Sequence, residues 1–97
     1  MTRVVLEPEA ERDITDAYDW YEEQRSGLGE RFLASVAESL EQIAHAPKAN
    51  PIVERNVRRK LLRTFPYSVL YRDSDDTLFV VACFHGKRDP AVWRRRL

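Results

Sequence analysis

Two β-prone runs, Tyr67–Arg72 and Thr77–His85, lie only four residues apart near the end of the chain. The connecting residues are short and polar (Asp73-Ser74-Asp75-Asp76), which is typical of a β-hairpin. Both alternating faces of the second run are apolar: one holds Phe79, Val81 and Cys83, the other Leu78, Val80, Ala82 and Phe84. A strand that is apolar on both faces is covered on both sides, so we predict that this run is a central strand.

Two helices are predicted before the hairpin. Pro8, followed by Glu9, Glu11 and Asp13, fits a first helical turn, and apolar residues at helical spacing extend helix 1 over Pro8–Gln24. Gly27 is a candidate for a left-handed helix terminator. The helical period resumes at Leu28 and stops before Pro47, which predicts an antiparallel helical hairpin.

The remaining segments complete an α+β domain. Thr2–Leu6 and Val57–Leu62 are predicted strands, and residues 47–56 are expected to form an irregular connection. Asp89 and Pro90 favour a short terminal helix over Pro90–Arg96. We therefore predict one domain over residues 1–97, with an N-terminal strand, a helical hairpin, a three-stranded antiparallel meander and a short C-terminal helix.

Composition narrows the class of protein. The 97 residues suffice for one hydrophobic core. No apolar run reaches the roughly 20 residues that span a bilayer, and the N-terminus lacks a secretory pattern. We therefore expect a cytoplasmic protein without membrane contact. Cys83 is the only cysteine, in an apolar run where a buried side chain is expected. Residues 1–50 carry 11 acidic and 5 basic residues, whereas residues 51–97 carry 5 acidic and 11 basic residues. This split favours an acidic or polyanionic partner, or acidic helices that neutralise basic strands.

Cations concentrate on the predicted strands and the tail. Arg58 and Lys60 share one face of their strand by period two, Arg59 points to the other face, and Arg72 is expected across from the first two. The alternative is a solvated basic edge that prevents aggregation. His85 is the best-placed titrating group for metal-free RNA cleavage, although a histidine hydrogen-bonded at a strand end is the simpler interpretation.

Several short motifs follow one another in a characteristic order. Asp13–Tyr21 has the pattern D-x-x-x-A-x-D-W-Y, and a Gly-Leu-Gly-x-x-Phe pattern opens the second helix at Gly27. The later motifs are Phe65-Pro66-Tyr67, Tyr71-Arg72, and His85-x-x-Arg88-Asp89-Pro90-x-x-Trp93-x-x-Arg96. In order and spacing the chain resembles the RelE/ParE superfamily of bacterial type II toxin–antitoxin toxins, and most of all its ParE branch.

The resemblance implies a toxin that is neutralised by a cognate antitoxin, ParD-like or another small protein, in a hetero-oligomer. ParE-like members target DNA gyrase, whereas RelE-like members cleave mRNA in the ribosome. This sequence ends in Trp93-Arg94-Arg95-Arg96-Leu97, without the terminal Tyr or His that RelE-like chemistry often uses, which favours the gyrase alternative. A non-toxic binding module of the same fold is a third possibility.

Site residues follow from these alternatives. An RNase would use His85, Arg72, Arg58 and Lys60, and no cofactor or metal is expected. The predicted target-binding residues are Arg58, Arg59, Lys60, Arg72, Lys87, Arg88, Trp93, Arg94, Arg95 and Arg96. The sheet face that the helical hairpin leaves uncovered is predicted to be a docking groove for an antitoxin helix.

Overall fold

The structure of the chain is a computed structural model that describes residues 2–97. A five-stranded sheet has the strand order β1-β5-β4-β3-β2, in which β1 runs parallel to β5 and the other neighbours are antiparallel. Its elements are β1 (Arg3–Leu6), α1 (Pro8–Gln24), α2 (Leu28–His45), β2 (Ile52–Glu54), β3 (Val57–Leu61), β4 (Tyr67–Ser74), β5 (Thr77–His85) and α3 (Ala91–Arg94). The predicted α+β fold is confirmed, and α1 has the predicted bounds.

The segment before β3 differs from the prediction. Residues 47–56 are not wholly irregular, because Pro47–Ala49 form a 3-10 turn and β2 pairs with β3. The antiparallel meander therefore has four strands. Two prolines and a length of three residues conceal β2 in the sequence, since proline in a short run argues against a strand. Pro51 lies just before β2, where its carbonyl accepts a hydrogen bond from the Arg59 N–H at 3.0 Å.

The loop of the β4–β5 hairpin is shorter than the four residues predicted. Ser74 pairs with Thr77, so only Asp75 and Asp76 form the connection. Asp75 has a φ of 52°, and aspartate is among the residues that tolerate this left-handed conformation. The polar tetrapeptide thus predicts the hairpin correctly but overestimates its loop.

A β-bulge in β5 changes which side chains share a face. Leu70 pairs with Ala82 and Tyr71 with Val80, which leaves Val81 without a partner on β4. Leu78, Val80 and Cys83 consequently pack with the helices, whereas Val81, Ala82 and Phe84 pack on the opposite side. The predicted period-two grouping is correct up to Val81 and wrong from Ala82 onward, where Ala82, Cys83 and Phe84 lie on the faces opposite to those predicted.

Both faces of β5 are covered, as predicted. The helical hairpin covers one face, with a core that includes Ala17, Tyr21, Phe32, Val36 and Ile43. On the other face the short helix α3 places Trp93, which is only 6% exposed, against Leu70 and Phe84. The second face is thus partly closed by the protein's own C-terminal segment.

The turn between α1 and α2 is held by a carboxylate. Gly27 adopts the left-handed conformation, with φ 90°, as predicted for this position. The Oε1 atom of Glu22 accepts hydrogen bonds from the Gly27 N–H at 3.0 Å and the Gly29 N–H at 2.7 Å. These bonds satisfy two of the backbone donors that every helix N-terminus leaves free. Within residues 2–97 there is no helix long and apolar enough to cross a membrane.

Candidate functional site

A cavity of about 180 Å³ opens on the sheet face opposite the helical hairpin. Its floor is apolar and is formed by Leu70, Phe84 and Trp93. Three guanidinium groups surround it, from Arg59 on β3, Arg88 after β5 and Arg94 on α3. We call this site the arginine-rimmed cavity.

The rim arginines are held over the floor by aromatic rings. The Arg88 guanidinium lies 4.5 Å from the centroid of the Phe84 ring, and that of Arg94 lies 5.7 Å from the Trp93 ring. Such cation–π contacts leave the N–H groups at the edges of the guanidinium free to bind an acceptor. Arg94 also forms an ion pair with Glu54 at 2.7 Å, which fixes α3 to the edge strand β2.

Trp93 is positioned by the local sequence around it. The Asp89 carboxylate accepts a hydrogen bond from the Ala91 N–H at 3.0 Å and so holds the start of α3. The helix is shorter than predicted, Ala91–Arg94 rather than Pro90–Arg96, and Pro90 rather than Asp89 occupies its N-cap position. Trp93 then turns into the apolar floor, where it is buried. Its main role is to anchor the C-terminal segment, and only the part that lines the cavity is available to a ligand.

The predicted cationic strip of Arg58, Lys60 and Arg72 is not assembled. Arg58 pairs with Tyr71 and Lys60 with Val69, so both lie on the helix-facing side of the sheet. Arg72 pairs with Val57 on the opposite side, because the register places it one residue further along β4 than expected. Arg58 is also occupied, since its Nη1 donates to the Asn50 carbonyl at 2.6 Å and to the Lys48 carbonyl at 3.4 Å.

Arg72 and a further predicted site residue, Arg96, form ion pairs within the fold. Arg72 Nη2 lies 3.0 Å from Glu7 Oε1, and its guanidinium lies 5.3 Å from the Phe79 ring. Arg96 binds both oxygens of Asp13, at 2.7 Å and 3.0 Å, and donates to the Val81 carbonyl at the bulge. The hydrogen bond to Asp13 raises the pKa of Arg96. Lys87 and Arg95 are exposed.

His85 lies at the edge of the arginine-rimmed cavity. Its Nδ1 accepts a hydrogen bond from the Lys87 N–H at 3.0 Å, and its ring packs edge-on against Tyr67. A neutral imidazole that accepts at Nδ1 carries its proton at Nε2. His85 thus has the strand-end hydrogen bond of the simpler interpretation.

The two tyrosines on β4 are also poor candidates for proton transfer. Burial raises the pKa of both Tyr67 and Tyr71. The Tyr71 hydroxyl donates to the Pro47 carbonyl at 2.6 Å and accepts from the Asn50 side chain at 3.1 Å. It therefore ties the loop before β2 to the sheet. Among the described residues, no cluster of His, Cys, Asp and Glu is arranged to hold a metal ion.

The arrangement of strands, helices and cavity can now be compared with known proteins. Residues 4–90 match the family model of the ParE toxin of type II toxin-antitoxin system, parDE. The chain belongs to the ParE toxin family. The match covers most of the chain, from β1 to the proline that precedes α3, and includes most of the lining of the arginine-rimmed cavity. No curated protein matches the sequence.

Solved structures show the same fold. A chain of the chromosomal ParDE toxin–antitoxin system from P. aeruginosa matches with a TM-score of 0.66 and 20% identity, over 88% of this chain and 96% of that one. The isolated RelE toxin from E. coli matches with a TM-score of 0.67 and 16% identity, over the full length of both chains. This member of the ParE toxin family thus shares its fold with both branches of the superfamily.

The role of Asp13 is a feature that the sequence motif alone did not reveal. Asp13 opens the D-x-x-x-A-x-D-W-Y pattern, and its Oδ2 accepts a hydrogen bond from the Cys83 N–H at 3.0 Å in addition to binding Arg96. The last residue of β1, Leu6, pairs with Val80, so β1 does not extend as far as Cys83 on β5. Asp13 and Arg96 therefore complete the edge of β5 with side-chain hydrogen bonds in place of a strand. The sequence feature that could have indicated this role is an aspartate next to the apolar stripe of α1.

Proposed function

We propose that this chain is a toxin that inhibits DNA gyrase by binding to it, and that a cognate antitoxin holds it inactive. The observation that carries the proposal is the arginine-rimmed cavity, an apolar floor surrounded by three arginines on the sheet face opposite the helices. A gyrase inhibitor of this kind would act in the cytoplasm, where gyrase lies.

The composition of the cavity supports a protein ligand. Protein interfaces are enriched in aromatic residues and arginine, with an apolar centre and a polar rim. Phe84 and Trp93 supply the aromatic centre, and Arg59, Arg88 and Arg94 supply the rim. A target surface that presents carboxylates around an apolar side chain would complement both parts.

The positions of the predicted RNase residues support binding over catalysis. His85 pairs with Tyr67, five residues before Arg72 on β4, so His85 and Arg72 are separated by about 17 Å along the strands. Arg72 also lies on the other side of the sheet from His85, Arg58 and Lys60, because His85 pairs with Tyr67, and Arg58 and Lys60 pair with Tyr71 and Val69, all on the helix-facing side. General acid–base catalysis requires its groups within hydrogen-bond reach of one substrate, which this dispersal prevents for these four residues.

The same face suits an acidic antitoxin. An amphipathic helix binds a groove by its apolar side, and its flanking carboxylates would meet the rim arginines. Such a segment would compete directly with gyrase for the arginine-rimmed cavity. The partner would be a ParD-like or another small antitoxin, and the two proteins would form a toxin–antitoxin hetero-oligomer.

The test is ATP-dependent supercoiling of relaxed plasmid by purified gyrase with increasing amounts of the toxin. We expect inhibition by the wild-type chain, at least tenfold weaker inhibition by the Arg59→Ala/Arg88→Ala/Arg94→Ala variant, and recovery of supercoiling when antitoxin is added. A matched control, Arg12→Ala/Arg25→Ala/Arg31→Ala, removes the same charge from exposed positions in the helical hairpin. It should inhibit like the wild type.

Supercoiling that continues at a large molar excess of wild-type chain would show that gyrase is not the target. Equal weakening by the two triple variants would instead show that net charge matters and the arginine-rimmed cavity does not. If induction without antitoxin also leaves bacterial growth unaffected, the chain is a non-toxic binding module of this fold.

A ribosome-dependent mRNA endonuclease is the second candidate. One observation favours it: His85 lines the same cavity as Arg59, Arg88 and Arg94, which could neutralise a phosphate. Cleavage of ribosome-bound mRNA, mapped by primer extension and lost in His85→Ala, would establish this function. The same assay with Arg58→Ala and Arg72→Ala tests the original RNase assignment, and the structure predicts little effect of either change.

A further inference from the structure

A second cavity, of about 220 Å³, lies on the same sheet face as the arginine-rimmed cavity but shares no lining residue with it. It is formed where the β2–β3 turn, the end of β4 and the C-terminal segment meet. Three arginines contribute to its lining, Arg55, Arg72 and Arg96, together with Glu7, Asn56, Val81 and Leu97. We call it the three-arginine cavity.

The carboxylates next to this cavity do not use all of its donors. Arg72 contacts Glu7 through Nη2 alone, and Arg96 is directed to Asp13 and the Val81 carbonyl. Within residues 2–97 the Arg55 guanidinium has no hydrogen-bonded or ionic partner. N–H donors are therefore available from Arg55 and Arg72, whereas those of Arg96 are used by Asp13 and the Val81 carbonyl.

The backbone of Arg55 provides an independent indication. Arg55 has a φ of 49°, in the left-handed region that glycine and asparagine adopt more readily than arginine. Asn56, the next residue, does not occupy that region. Strained backbone of this kind is found at sites where the side chain has a function. Arg55 lies in the two-residue turn between β2 and β3, and it is one of the residues that line the cavity.

We propose that the three-arginine cavity binds a carboxylate side chain from an acidic segment of a protein partner. Planar guanidinium groups bind carboxylates through paired hydrogen bonds, and this volume accommodates one such group. Glu7 on the lining disfavours a continuous polyanion, because successive phosphates would approach its charge. The site is a second contact, independent of the arginine-rimmed cavity and of the identity of the toxin's target.

The test uses hexaglutamate as a probe, with binding followed by NMR on the full chain at low ionic strength. We expect the signals of the Asn56 side-chain amide and of the Arg55 and Arg72 Nε–H groups to shift. Arg55→Ala should weaken binding of hexaglutamate about tenfold. Arg95→Ala, which removes the same charge from an exposed residue outside the cavity, should leave the affinity within about twofold.

Arg55→Gly separates binding from folding. This change removes the guanidinium and relieves the left-handed backbone, so it should bind hexaglutamate as weakly as Arg55→Ala while unfolding at the same or a higher temperature than the wild type. Equal loss of affinity in Arg55→Ala and Arg95→Ala would overturn the proposal. So would tighter binding of a six-nucleotide single-stranded DNA than of hexaglutamate, because the site would then select phosphate.

Discussion

At the scale of single residues, the ion pair between Asp13 and Arg96 joins α1 to the C-terminal segment, a contact that the sequence analysis did not predict. Both residues belong to motifs that the sequence analysis singled out, yet 83 positions separate them and no local pattern indicates their contact. Their side chains are 7% and 16% exposed. The pair also satisfies the Cys83 N–H and the Val81 carbonyl, so it is part of the sheet edge as much as a charge interaction.

Asp13→Ala should therefore be strongly destabilising. It leaves the Arg96 guanidinium and the Cys83 N–H without their acceptor in a mostly buried position, which we expect to lower the free energy of unfolding by about 3–5 kcal/mol. Urea unfolding followed by circular dichroism measures the change. Asp16→Ala, on the exposed side of α1, is the control and should stay within about 0.5 kcal/mol of the wild type. Similar values for the two variants would contradict the role assigned to Asp13.

Cys83 predicts a pH dependence of stability. Burial, with a contribution from the Asp13 carboxylate, raises the pKa of the Cys83 thiol from 9.0 to about 12. Above pH 9 the unfolded chain loses this proton while the folded chain keeps it, so the free energy of unfolding should fall as pH rises, by up to about 1.4 kcal/mol per pH unit. The buried tyrosines act in the same direction at higher pH.

Urea unfolding of Cys83→Ala at pH values between about 8 and 10 tests this dependence. The variant should be less stable at neutral pH but should lose less stability on going to the alkaline end. Val80→Ala shortens another buried side chain of β5 without removing a titrating group, so it should keep the wild-type slope. An unchanged slope in Cys83→Ala would mean that the thiol is not the group responsible.

At the scale of secondary-structure elements, a boundary could be predicted where a helix-starting proline or a helix-ending glycine marked it. Pro8 and Gly27 bracket α1, and its bounds were predicted correctly. The bulge at Val81 could not be predicted, because all residues from Leu78 to Phe84 are apolar and none reveals the change of face. β2 was missed because prolines lie on its N-terminal side.

The helical hairpin provides a prediction about glycine at this scale. Gly29 lies within α2, where alanine normally stabilises a helix by about 1 kcal/mol. A Cβ at Gly29 would lie 2.8 Å from the Tyr18 carbonyl oxygen and 2.6 Å from Glu22 Cγ, so α1 would have to move away. We expect Gly29→Ala to lower the free energy of unfolding by about 1–3 kcal/mol, measured by urea unfolding.

Comparing Gly27→Ala with Gly29→Ala separates the effect of backbone strain from the effect of helix packing. A Cβ there meets no atom within 4 Å, so only the left-handed φ of 90° opposes the change, at a cost of about 1–2 kcal/mol. In Gly27→Ala the Tyr21–Phe32 contact should persist in NMR spectra, because the two helices need not separate. A displaced contact is expected in Gly29→Ala, and a Gly29→Ala variant as stable as the wild type would contradict the close approach of the helices.

At the scale of the whole molecule, the division of charge between the two halves has a structural counterpart. The acidic half forms the helical hairpin on one face of the sheet, and three arginines of the basic half surround a cavity on the other face. The sequence predicted this division but not its details. Arg58 and Lys60 turned out to face the helices, because the register of β3 against β4 sets their side of the sheet.

This charge distribution predicts how the toxin meets an acidic antitoxin. Attraction between an acidic segment and the arginine-rimmed cavity should accelerate their encounter at low salt. The Debye length falls from about 30 Å at 0.01 M to about 8 Å at 0.15 M salt, so the association rate should fall about tenfold over that range. Stopped-flow fluorescence of Trp20 and Trp93, or of a dye on the antitoxin, measures this rate.

The two triple arginine variants decide whether the face or the net charge steers the encounter. Both lose three positive charges, so a purely global effect would slow them equally. We expect Arg59→Ala/Arg88→Ala/Arg94→Ala to associate more slowly and with a shallower salt dependence, because the removed charges surround the docking surface. Arg12→Ala/Arg25→Ala/Arg31→Ala should keep a steep salt dependence, since its charges lie on the opposite side of the sheet. A steep dependence in both variants would place the antitoxin on another surface of the toxin.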